Sequence, residues 1–158
     1  MTPVQAVPLS ALYEHDETAW LEAMATLAGQ RRYQEMDYTH LSEYLADMAR
    51  RDRREVFSRL VVLLTHLLKG EYQPEKRSGS WRGTMREQRR ELRHLLESRT
   101  LQNHAEAVLH DAYTEARLQA ADETELGTEA FPAARVWNLE ELLSEPEGEQ
   151  IPKHSEPA

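Results

Sequence analysis

Arginine recurs at Arg82, Arg86, Arg89, Arg90 and Arg93, and at helical spacing the five side chains fall within about 100° of arc. A guanidinium stays charged and presents a planar fork of donors, so such a stripe suits carboxylates and phosphates. Three binding chemistries follow: contact with the phosphates of a nucleic acid, pairing with an acidic protein surface, and binding of a phosphorylated ligand. Single-strand binding also needs aromatic rings on which bases stack, and none interleaves with these arginines. The competing expectation is a solvated face paired with carboxylates from neighbouring helices.

A second constellation could hold a metal or work as a base. His66 lies in an apolar stretch, and Glu43 and Asp47 stand one helical turn apart. A catalytic or ligating histidine needs a second polar group to orient it. Asp52 lies nearly four turns from His66, about 21 Å along one helix axis, and cannot do so. Glu43 and Asp47 could share a cation with His66 only if two helices packed face to face. Helical metal proteins usually supply Glu-x-x-His pairs from facing helices, and that spacing occurs only in settings such as Glu91 with His94. A histidine satisfied within the fold is the simpler expectation.

Other chemistries find no residues to carry them. The chain has no cysteine, which removes disulfides, thiolate nucleophiles and sulfur-ligated zinc. It has no Gly-x-Ser-x-Gly elbow, no Walker loop and no Gly-x-Gly-x-x-Gly. Trp20, Trp81 and Trp137 are read as anchors of the core and of helix junctions.

Helical periodicity runs through most of the sequence, and no sustained alternation marks a strand. A first helix is expected to start at Asp16, present Trp20, Ala23, Met24 and Leu27, and end at Gly29. A second stretch opens at Asp37 or Thr39. Within it Leu41, Tyr44, Leu45 and Met48 point in one direction, and Val56, Leu60, Leu63, Leu64 and Leu67 point about 110° away. A kink, a break or a change of packing partner is therefore expected at 50–54. The span 56–68 is apolar around most of its circumference and reads as the most buried helix. Gly70 is its expected C′ residue, and Pro74 stops continuation.

Residues 71–80 read as a polar connection, with Ser80 capping an arginine-rich helix that reaches about residue 97. That helix carries Trp81, Met85, Gln88, Leu92, Leu95 and Leu96 on its apolar side. The next helix, over 103–123, has the small-residue stripe Ala105, Val108, Leu109, Ala112, Tyr113, Ala116 and Ala120. Asn138 with Glu141 three residues later forms a capping-box pattern before Leu139, Leu142 and Leu143.

Charge is segregated along the chain. Residues 50–94 hold 13 Lys and Arg against 6 Asp and Glu, although the 158-residue chain carries a formal net charge of −9. The basic middle is thus set in an acidic remainder, and overall charge argues against nonspecific nucleic-acid binding by the whole molecule. The longest dense apolar run, 60–68, falls far short of the roughly 20 residues that span a bilayer. No basic-then-apolar leader opens the sequence. A soluble, cytoplasmic protein is expected.

The wording of the chain also resembles a known family. Tyr13, Asp16 and Trp20 form Y-x-x-D-x-x-x-W, followed by Asp37, Leu41 and the Asp47-Met48 pair. Then come SRLVVLLTHLLKGEYQPEKRSGSW, REQRRE, Tyr113, Ala116-Arg117, Phe131-Pro132 and NLEELL. Together these resemble domain-of-unknown-function family twenty-nine over about residues 13–143. Three positions depart from the family pattern. Its Glu-Glu pair corresponds to Ser42-Glu43 or Glu43-Tyr44, its aromatic residue after HLLK to Gly70, and its Cys-Pro to Arg135-Val136. The resemblance implies a small bacterial protein with a compact helical domain. It carries over no reaction, cofactor or catalytic residue.

The expected architecture is all-α, a compact bundle of about five to six helices over 13–143. An N-terminal arm over 1–12 precedes it, and a disordered acidic, proline-rich tail over 144–158 follows. The expected function is non-enzymatic protein interaction through Arg82, Arg86, Arg89, Arg90 and Arg93, with an acidic partner or a second copy of the chain. Nucleic-acid association through the same face is the alternative, and a metal or enzymatic site at Glu43, Asp47 and His66 the second. No cofactor and no membrane partner is expected.

Overall fold

Polar side chains mark where most of the helices start. The computed structural model describes residues 7–144, and all regular structure among them is helical. After α1 (Leu9–His15), Asp16 accepts from the Ala19 amide at 3.0 Å and opens α2 (Glu17–Gly29). Asp37 accepts from the His40 amide at 3.3 Å at the start of α3 (Tyr38–Tyr72). Ser78 takes the Trp81 amide at 3.1 Å before α4 (Gly79–Leu95), and Ser98 takes the Leu101 amide at 3.3 Å before α5 (Arg99–Thr124). At α6 (Leu139–Leu143), Asn138 and Glu141 exchange bonds of 2.8 and 2.9 Å in a capping box. Each cap satisfies a first-turn amide that has no acceptor within its own helix.

The all-α expectation holds, and several boundaries move, that of α5 among them, which starts at Arg99 rather than 103. The cap of α4 is Ser78 rather than Ser80, because Ser78 is the residue with extended backbone whose hydroxyl reaches the third helical amide. The arm read over 1–12 already contains most of α1. Residues 1–6 of that arm, and the tail from 145 onward, lie outside the described residues. The span read as one domain divides into two compact units, Met1–Arg51 and Asp52–Ala158.

In the first unit Trp20 and Met24 are buried. Tyr13 meets the Trp20 ring edge-on at 4.8 Å and stacks on His40 at 4.3 Å, and Tyr44 lies 5.8 Å from Trp20. Asp37 ties this cluster together, accepting from Trp20 Nε1 at 3.2 Å and from His40 Nδ1 at 2.6 Å. Burial works against its ionisation, but the hydrogen bonds from His40 and Trp20 outweigh it and hold its carboxyl below the ordinary 3.8. A carboxylate depressed in the folded state adds stability that is present above its unfolded pKa and is lost as pH falls through the folded one. The first unit is therefore expected to lose stability below pH 3.8. Asp37→Asn should remove that acid component in thermal melts taken between about pH 5 and pH 2.5.

α3 crosses the 50–54 region without a break, which removes that one of the three expectations there. The run RRDRR contains good helix formers and no glycine or proline. Charges also pair along the axis, Arg50 with Asp47 and Arg59 with Glu55 at 2.9 Å. What changes is the packing partner: the unit boundary falls after Arg51. Leu41, Tyr44 and Met48 are half-buried on the first side, and Val56, Leu60, Leu63, Leu64 and Leu68 are fully buried on the second.

That second half of α3 runs through the core of the second unit, with Trp81, Met85, Leu92 and Leu96 from α4 in the same cluster. From α5 come Leu109, Ala105, Ala112, Ala116 and Ala120, all buried, as small side chains on a closely packed helix should be. These residues of the small-residue stripe are thus packed into the core of the second unit. Phe131 enters the core, and its segment is strapped to α5 by Tyr113 Oη donating to the Pro132 carbonyl at 2.6 Å and Arg117 Nε to that of Phe131 at 3.2 Å. Among the described residues no helix is long and apolar enough to cross a membrane.

Candidate anion-binding surface

The five arginines differ in their surroundings. Arg89 is 4% exposed and donates through Nε to the Leu142 carbonyl at 3.1 Å. Arg93, one turn on, donates to the Leu143 carbonyl at 3.0 Å through Nε and again through Nη2. These are carbonyls at the end of α6, where a helix leaves acceptors unpaired and favours positive charge. A five-residue helix is far below the length that is stable alone, so Arg89 and Arg93 serve the fold by holding α6 on α4. Arg90 lies on its neighbour Glu91, at 3.1 and 2.9 Å, and that hydrogen bond keeps the Glu91 carboxyl below the usual range against the effect of burial. Arg82 and Arg86 are exposed, and their guanidinium groups have no partner among the described residues.

A cleft of about 240 Å³ opens where the end of α3, the 73–78 connection and the first turn of α4 meet. Lys69 on its wall reaches Glu123 of α5 at 2.7 Å. The ammonium's hydrogen bond holds the Glu123 carboxyl below its ordinary value. His66 Nδ1 lies 2.9 Å from the Val62 carbonyl. A carbonyl only accepts, so Nδ1 carries the proton and Nε2 is left with no partner among the described residues. Trp81 forms the apolar side of the cleft, its Nε1 donating to the His66 carbonyl at 2.9 Å. The Arg77 guanidinium sits 5.2 Å from the Trp81 ring centre, and its Nε donates to the Gly70 carbonyl at 2.8 Å.

Gly70 is therefore not the terminating residue expected from the sequence. It lies inside the last turns of α3, buried under the Trp81 ring, and the helix runs on to Tyr72 before Pro74.

Glu43 and Asp47 belong to the first unit and His66 to the second. All three lie on the single helix α3 rather than on two facing helices. Asp47 is paired with Arg50, and His66 stands instead with Lys69 and Trp81. Among the described residues no group of three or more histidines and carboxylates is placed to hold a metal ion.

Helical wheels find the arginines but miss the cleft, because Lys69, Lys76, Arg77 and Ser78 sit on different elements. The available signal was a basic helix end, a basic connection and a serine cap within ten residues. Those residues belong to the HLLK…YQP…S-x-S-W wording.

Comparison with the curated proteins and with the solved structures returns no match. A family model matches residues 12–146, from just before Tyr13 to just beyond α6. On that match the chain belongs to the family described as Domain of unknown function DUF29.

Proposed function

We propose that this protein is a non-catalytic interaction module that binds an acidic partner protein through the exposed first half of α4. One observation carries the reading: of the five arginines, Arg82 and Arg86 alone are exposed and without a partner among the described residues. They are one turn apart, about 6 Å along the axis, a spacing suited to two carboxylates on one partner. The net charge of −9 does not oppose this at physiological salt, where exposed charges beyond about 8 Å are largely screened.

An acidic protein fits better than a nucleic acid. Two arginines of the stripe are already committed to α6, and no aromatic ring is exposed between the remaining ones. The test is to titrate fluorescent poly-glutamate, single-stranded DNA and duplex DNA into the protein at the same low salt. Binding of poly-glutamate well above either nucleic acid supports the reading. Preference for nucleic acid with a steep salt dependence would replace it with a nucleic-acid role for the same face.

A further inference from the structure

The cleft between α3 and α4 offers chemistry that the exposed arginines do not. Its cationic and hydroxyl groups arrive from several directions: Lys69 from α3, Lys76 and Arg77 from the connection, the latter 3.8 Å from Glu71, and Ser80 from α4. Glu123 is the one acid on the wall, and Lys69 already neutralises it. The end of a helix normally repels anions through its free carbonyls. Here those of His66, Lys69 and Gly70 are occupied by Trp81 Nε1, the Gln73 amide and Arg77 Nε, at 2.9, 2.8 and 2.8 Å. The opposing wall is the start of α4, with no acidic residue in its first turn, so the local field there is positive.

From this cavity and its lining we infer that the cleft is a binding site for the phosphate group of a small molecule. A carboxylate is planar and offers two oxygens, whereas a phosphate offers three and up to two negative charges, matching donors on several sides. The volume of about 240 Å³ lies below the roughly 300 Å³ at which pockets for drug-sized ligands begin, so the ligand is small. The Trp81 ring gives it one apolar contact surface.

The probe is inorganic phosphate, followed by amide chemical shifts in the intact chain, with acetate and chloride at matched ionic strength as comparisons. Phosphate is expected to give saturable shifts at Gly79, Ser80 and the Trp81 indole N–H. Lys76 is exposed, with no partner among the described residues, so Lys76→Ala should fold normally and weaken phosphate binding by about tenfold. Arg82→Ala with Arg86→Ala should leave phosphate binding within about twofold, so this site and the interaction face fail or succeed separately. Shifts that do not saturate, that acetate or chloride reproduces, or that Lys76→Ala leaves unchanged would overturn the inference.

Discussion

Trp81→Ala is expected to destabilise the second unit by about 3–5 kcal/mol, the range for deleting a buried tryptophan. The side chain is 9% exposed and belongs to the core cluster. It also makes contacts that no smaller residue can replace. Its indole N–H satisfies the His66 carbonyl, and its ring packs over Gly70 with the Arg77 guanidinium 5.2 Å from its centre. Trp81→Phe keeps most of the apolar packing and loses the hydrogen bond, so it should recover more than half of the loss. Urea unfolding followed by far-ultraviolet circular dichroism measures both. A loss under about 1 kcal/mol for Trp81→Ala would show that the ring is not the wedge between α3 and α4.

Gly70→Ala is expected to have an effect opposite to that of the other helical glycines. Alanine is favoured over glycine in a helix interior by about 1 kcal/mol. At Gly83, where an added Cβ meets nothing within 4 Å, Gly83→Ala should therefore stabilise the protein by about 0.5–1 kcal/mol. At Gly70 the same atom would stand 2.4 Å from Trp81 Cζ2 and 3.0 Å from Cε2. Those are atoms of a rigid ring held in place by its own hydrogen bond. The overlap should outweigh propensity and leave Gly70→Ala destabilised by about 1–3 kcal/mol. In the Trp81→Ala background most of the penalty should disappear, because of the close atoms only Arg77 Nε, at 3.1 Å, is left. A stabilising Gly70→Ala in the native background would mean that the indole has room to move.

These two positions also show what local pattern can and cannot reveal. The helices, the caps at Asp16 and Asn138 and the burial of 56–68 follow from spacing and cap chemistry within a few residues. Gly70 has the look of a terminator because glycine commonly ends helices, and only the long-range approach of Trp81 explains it inside one. The arginine stripe is legible on α4, but its division depends on α6, about 50 residues downstream. No wheel of α4 contains that contact. The change of direction at 50–54 is legible as a conflict between two apolar faces, and its resolution by a change of partner is not. The cleft is least legible, since each of its residues has an ordinary local role as helix end, connection or cap.

The separation of Arg82 and Arg86 from Arg89 and Arg93 is the centre of the functional account, and one titration tests it most directly. Fluorescent poly-glutamate is titrated into the native protein, into Arg82→Ala with Arg86→Ala, and into Arg51→Ala with Arg54→Ala. The last variant removes the same two charges from other exposed positions and controls for net charge. Roughly tenfold weaker binding is expected for the α4 variant and at most about a twofold change for the control. Equal losses in both variants, or undiminished binding by the α4 variant, would contradict it.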